Sequence, residues 1–195
     1  GTLGMDLAGT SDTLSKIDRK KITEKFKTIY NPNNFILCVV GDADFEQIIK
    51  FAEKNFSNEN SVISKQKFEL KNQIKIEERE GVDQANLVFA YHVPIADNDK
   101  CYAAKILSSL MTSGASSKLF QEIREKRNLA YGILGDTNIN KNFAYNFIYV
   151  GTMKKNIEMV KKVIFDEFEK VAKNLTEQEL KEIKEQLIGN YQISM

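Results

Sequence analysis

Ser113-Gly114-Ala115-Ser116-Ser117-Lys118-Leu119-Phe120-Gln121-Glu122-Ile123-Arg124-Glu125-Lys126-Arg127-Asn128-Leu129-Ala130-Tyr131-Gly132 contains a break, a helix and the start of a strand. Small residues open it and stop the apolar helix expected over Tyr102–Met111. Leu119 and Ile123 make the inward stripe of a helix expected from Ser117 to Arg127. Asn128 is placed to close that helix as a left-handed cap. Leu129 begins an alternating run that predicts a strand to Thr137. Arg124 lies one turn after Phe120 and flanks the buried face, while Tyr131 sits just past the helix. A guanidinium and a phenol thus arrive near one point, and two such donors can hold a carbonyl or an oxyanion. Spacing alone favours a plainer alternative, a helix-end arginine and a half-buried strand tyrosine.

Upstream, Asp18 to Tyr30 predicts a helix with Ile22, Phe26 and Ile29 on one face, stopped by Asn31-Pro32. Phe35 to Val40 is a continuous apolar run, expected as a buried strand. Asp44 caps a following helix, with Gln47 as its capping-box partner and Phe45, Ile48, Ile49 and Ala52 as its apolar face. Asn55 to Gln66 is a polar loop. Gln73–Glu80 and Ala85–Val93 alternate as two strands.

Downstream, Phe143–Val150 completes an antiparallel pair with Leu129–Thr137. Phe143, Tyr145, Phe147 and Tyr149 share one face of it and are expected in the core. Ile157, Val160, Ile164, Phe168 and Val171 mark a long amphipathic helix. Thr176 and Glu179 form a capping box for another, Leu175 and Leu180 its hydrophobic staple, and Leu180, Ile183, Leu187 and Tyr191 its apolar face. That pattern still runs at Met195, so the chain is expected to be cut from a longer protein. The order α-β-α-β-β-α-α-β-β-α-α predicts an α+β fold, helices packed on a largely antiparallel sheet, with 1–195 as a single domain.

Composition narrows the chemistry. Lysine and arginine total 28 against 27 acidic residues, a net charge of +1, which gives no electrostatic case for nucleic acid or an anionic membrane as partner. No apolar run is long enough to span a bilayer. Gly1 to Ala8 lack the charged and apolar regions of a signal peptide. Cys38 lies in an apolar run and, like Cys101, outside any CxxC pair, so a buried reduced thiol and a cytoplasmic location are expected. The single histidine, His92, ends a strand as a surface or edge residue and leaves few zinc or triad chemistries open to this chain. Glu77, Glu78 and Glu80 read as a solvated strand end, and Glu177, Glu179, Glu182 and Glu185 as the outer face of a helix. Lys65-Gln66-Lys67 reads as a solvated linker. Gly114 to Ser117 lacks the Gly-Lys-Ser/Thr of a phosphate loop.

The segment Gly114-x-Ser116-Ser117-Lys118-Leu119-Phe120 … Arg124-Glu125-Lys126 … Leu129-Ala130-Tyr131 resembles the pitrilysin/insulinase family of zinc metallopeptidases, which includes the mitochondrial processing peptidase. The match is to its bacterial processing-protease branch, with Lys118 for the usual arginine and Asn128 for the usual glycine. Gly9-Thr10, the helix to Tyr30, Asn31-Pro32-Asn33-Asn34 and Val39-Val40-Gly41-Asp42 resemble the family's upstream segment, so the likeness covers nearly the whole chain. The resemblance implies the domain that follows the zinc domain, itself without catalytic residues. Zinc is then expected in a missing N-terminal domain bearing His-x-x-Glu-His, which this chain lacks. It implies as partners that zinc domain, a facing half or second protomer, and a peptide substrate. It assigns Arg124 and Tyr131 to the substrate carbonyl and the developing oxyanion, reversing the plainer alternative for both. Some relatives keep the fold without the zinc motif and serve as scaffold or partner subunits.

Overall fold

The computed structural model describes residues 6–32, 35–56 and 70–195. The chain divides into two compact units, 1–66 and 67–195. The division falls at the end of the polar stretch Asn55–Gln66, most of which lies outside the described residues, as do Asn33-Asn34 and Lys65-Gln66-Lys67.

The first unit contains α1 (Ser11–Ser15), α2 (Arg19–Ile29) and α3 (Phe45–Asn55). Asp18, expected as the first residue of this helix, is its N-cap and accepts from Lys21 N–H at 2.7 Å. Asp44 caps α3 through the Glu46 and Gln47 amides. Gln47 Nε2 donates to the Asp44 carboxylate, and no bond from the Asp44 N–H to the Gln47 side chain closes the expected capping box. A run of rings holds the unit together. Tyr30 stacks on Phe26 at 4.4 Å and meets Phe35 edge-on at 6.0 Å, and Phe35 meets Phe56 at 6.1 Å.

The buried strand expected over Phe35–Val40 is not formed. These residues have no regular secondary structure and are exposed, Val40 at 99%, and Cys38 is exposed rather than buried. A strand exists through its ladder, and no second strand lies among the described residues of this unit.

The second unit contains β1 (Gln84–His92), α4 (Lys100–Thr112), a π-helical turn (Phe120–Glu125), β2 (Ala130–Ile139), β3 (Ala144–Met153), a short 3-10 turn (Lys154–Asn156), α5 (Ile157–Asn174) and α6 (Glu177–Ser194). The sheet is antiparallel throughout, in the order β1-β3-β2. This is the α+β class that the sequence predicts. The strand expected over Gln73–Glu80 is not formed, and β1 pairs with β3. Ile74 and Ile76 are 91% and 82% exposed and alternate with Gln73, Lys75 and Glu77, too little apolar surface to hold Gln73–Glu80 against a sheet.

Met111, Leu119, Ile123, Ile133, Ile148, Val150, Val160, Val163 and Ile164 form the core between the sheet and its helices. On β3 the buried residues are Ala144, Asn146, Ile148, Val150, Gly151 and Thr152. Tyr145, Phe147 and Tyr149 are therefore on the opposite face, half-buried, and the expectation that they form the core is corrected. Phe89 and Tyr91 of β1, opposite Ile148 and Asn146, supply the rings of the core face instead. On that face α4 lies closely on β2, and a Cβ on Gly135 would come within 2.6 Å of Thr112 Cγ2.

α6 begins as its sequence predicts, with Thr176 and Glu179 in a reciprocal capping box. Ile183 is buried, but Tyr191, expected on the same apolar face, is 65% exposed. Among the described residues no helix is long and apolar enough to cross a membrane.

Candidate functional site

Arg124 and Tyr131 are held at the two ends of one short connection, and each piece of it has a local cause. Phe120–Glu125 winds as a π-helix rather than the α-helix expected, with Lys126 N–H reaching Gln121 O at 3.0 Å. Asn128 then takes φ of 51°, the left-handed cap that its sequence position predicts. Its N–H donates to Arg124 O at 2.9 Å, and Leu129 N–H donates to Ile123 O at 2.9 Å. Each of these spans is one residue longer than in an ordinary Schellman closure, as the wider π register requires.

The connection enters the sheet under a second constraint. Thr152 Oγ1, on β3, donates to Leu129 O. Ala130 then pairs with Thr152 and Gly132 with Gly151, which leaves Tyr131 as the extra residue of a β-bulge. Bulges re-aim a side chain at the end of a strand. Tyr131 is 56% exposed, not the half-buried strand tyrosine of the plainer alternative.

Arg124 lies over the Phe120 ring, its Cζ 5.0 Å from the centroid. No carboxylate among the described residues pairs with it. Its neighbours differ. Glu122, 13% exposed, accepts from Lys126 Nζ and from Arg127 Nη1, and Arg127 Nη1 also donates to Glu122 O at 2.7 Å. The Lys126 and Arg127 hydrogen bonds hold the Glu122 carboxyl at a pKa of about 2. Lys118, just before the turn, pairs with Glu179 of α6. Glu179 is thus a partner of the turn rather than part of a solvated outer face.

Glu122 was not singled out from the sequence. Its signal there is Glu122…Lys126 at a spacing of four, with Arg127 next to it. A cleft of about 420 Å³ opens beside the turn, lined by Lys118, Glu122, Lys126, Glu167, Lys170 and Glu179 among others. Lys170 pairs with Glu167, so these charges are mutually matched. Neither Arg124 nor Tyr131 lines it. His92 is exposed at the end of β1, where the sequence places it. Among the described residues no three metal-ligating side chains come together, so the residues present do not fit zinc.

The family model described as the Peptidase M16 inactive domain matches residues 16–187. This chain belongs to that family. An uncharacterized zinc protease of Rickettsia bellii is 27% identical over 98% of the chain and 47% of its own length. A non-peptidase homologue of Helicobacter pylori, YmxG, is 26% identical over 93% of the chain and 43% of its own length. The chain thus spans about half the length of the curated relatives it matches. A solved structure titled as a protease from Helicobacter pylori matches with a TM-score of 0.76, at 22% identity, over 94% of this M16 chain and 47% of that one, which supports the fold alone. A solved M16 inactive domain from Pseudomonas fluorescens matches over 56% of this chain and 27% of that one, with a TM-score of 0.51 and 26% identity.

Proposed function

We propose that this M16 chain is the non-zinc part of a zinc-dependent endopeptidase of the processing-protease type, forming one wall of a chamber that takes unfolded peptide. The observation that carries the reading is the exposure of two hydrogen-bond donors, Arg124 and Tyr131, at the ends of one rigid connection. Family membership supports the setting, and the relatives named as zinc proteases support the reaction class.

The chemistry of the pair follows from its donors. Arg124 carries a permanent positive charge and no carboxylate partner among the described residues. Tyr131 offers a phenolic O–H from a strand end. Both would donate to the oxygen of a substrate carbonyl. As the carbonyl carbon becomes tetrahedral its oxygen gains negative charge, and the two donors bind it more strongly than the ground state. Among the described residues no metal-ligating cluster is present. Zinc and its ligands would belong to a preceding domain, and a facing half would bring the two together.

A second reading has support in the relatives. Two are named as a non-peptidase homologue and as a probable inactive metalloprotease. In that reading the chain is a scaffold or partner subunit. Tyr131→Phe in the full-length protein separates the two. Under the first reading turnover of a peptide falls on the order of a hundredfold while bound zinc, measured by elemental analysis, is unchanged. Equal turnover in variant and parent removes Tyr131 from the reaction.

A further inference from the structure

Between Lys118 and Arg127 the chain carries Lys118, Arg124, Lys126 and Arg127. Lys118 is bound by Glu179, and Lys126 and Arg127 are both bound by Glu122. Arg124 is the cation among them with no carboxylate among the described residues. We infer that Glu122 is the positioning residue for Arg124: by holding Lys126 and Arg127 it fixes the exit of the π turn and leaves Arg124 as the guanidinium open to an anion. The inference rests on the proposed role of Arg124.

The geometry acts in two ways. Glu122 and Arg124 belong to the same π turn, so what anchors one end of that turn sets the other. Arg127 reaches both the Glu122 carboxylate and the Glu122 carbonyl, the latter at 2.7 Å, closing a loop over Ile123, Arg124, Glu125 and Lys126. Beyond it come the Asn128-to-Arg124 and Leu129-to-Ile123 bonds that hand the chain to Tyr131. Glu122 also settles which cation is available. A π turn with Lys126 and Arg127 released would offer competing donors within a few residues of Arg124, and a substrate carbonyl could take the wrong one. The carboxylate is mostly shielded, and charge-assisted bonds of this kind are the stronger ones. The same two cations lower its pKa and keep it charged at neutral pH.

The test uses Glu122→Gln, Glu122→Asp and Arg124→Ala in the full-length protein, with turnover and KM measured on one peptide. The expected result is a fall in kcat of about ten- to a hundredfold for Glu122→Gln, with KM held within about twofold, and partial rescue by Glu122→Asp. Loss in Arg124→Ala with full activity in Glu122→Gln overturns this inference and leaves the reading of the site standing. Loss in neither overturns both. Amide exchange at Asn128 and Leu129 reads the positioning without any catalysis. Glu122→Gln is expected to speed it by about tenfold, the cost of a charge-assisted hydrogen bond. Unchanged exchange at both amides overturns the inference even where turnover falls.

Discussion

The Lys118 ammonium donates to the Glu179 carboxylate across 61 residues of chain, joining the entry of the π turn to the first turn of α6. The same carboxylate accepts from Thr176 N–H at 3.0 Å and from Thr176 Oγ1 at 2.9 Å. One acidic group therefore serves as helix cap and as cross-link. Its pKa is held at about 2, first by Lys118 and then by the two Thr176 donors. Glu122, fastened by Lys126 and Arg127, titrates in the same range.

Acid stability should follow from these two carboxyls. Each has a folded value near 2 against an ordinary value near 4.5, so the unfolded chain binds their protons first. Their contribution is complete above pH 4.5 and is lost as pH falls from 4.5 to 2. Glu179→Gln is expected to lower the urea midpoint at pH 7, with the gap to the parent narrowing through that window. A gap independent of pH would show that the ion pair is not what holds the carboxyl.

Asn128 supports a second prediction. Its left-handed φ of 51° suits glycine and asparagine. Asn128→Gly should leave stability nearly unchanged. Asn128→Val should cost about 1–2 kcal/mol, since a β-branched side chain clashes in that conformation. Denaturant unfolding of the two variants side by side checks the order.

Gly135 gives a third. Gly135→Ala should destabilise the second unit by about 1–3 kcal/mol, the usual cost of overpacking a tight core. Thr112→Ser should not relieve it, because the added methyl would also lie 2.7 Å from Thr112 Cβ. Thermal midpoints of the single and double variants decide the matter.

These residues also show what the sequence could and could not tell. The caps at Asp44, Asn128 and Thr176 were legible because a cap is a local bargain between one residue and the backbone groups next to it. Strands β1, β2 and β3 were legible from alternation. The antiparallel pairing of β2 with β3 was legible too, but that of β1 with β3 was not, since nothing local says that β1 lies beside β3. The choice of face on β3 was missed for a related reason. Ring size suggests that Tyr145, Phe147 and Tyr149 face inward, but the rings of the core face come from Phe89 and Tyr91 on the neighbouring strand, which the alternation of β3 alone does not reveal. Arg124 and Tyr131 were found through motif spacing. Glu122 was passed over because its role depends on Lys126 and Arg127 folding back on it.

Asn146 carries a fourth prediction. It is fully buried on β3 and donates to Ala104 O at 3.0 Å and to the Tyr91 hydroxyl at 3.1 Å. Asn146→Ala leaves a carbonyl of α4 without its donor and should cost about 1–3 kcal/mol. Tyr91→Phe keeps the Ala104 bond and should cost less in the same unfolding assay. Equal losses would mean that packing, not the amide, holds α4 at this point.

The run from Phe35 to Val40 has a colloidal consequence. It has aromatic and β-branched side chains, no charge, no proline and no ladder among the described residues. Such a segment is a template for another chain to pair against, and concentrated solutions of this chain should cloud by strand addition there. A lysine at exposed Val40 would act as a gatekeeper and keep the solution clear.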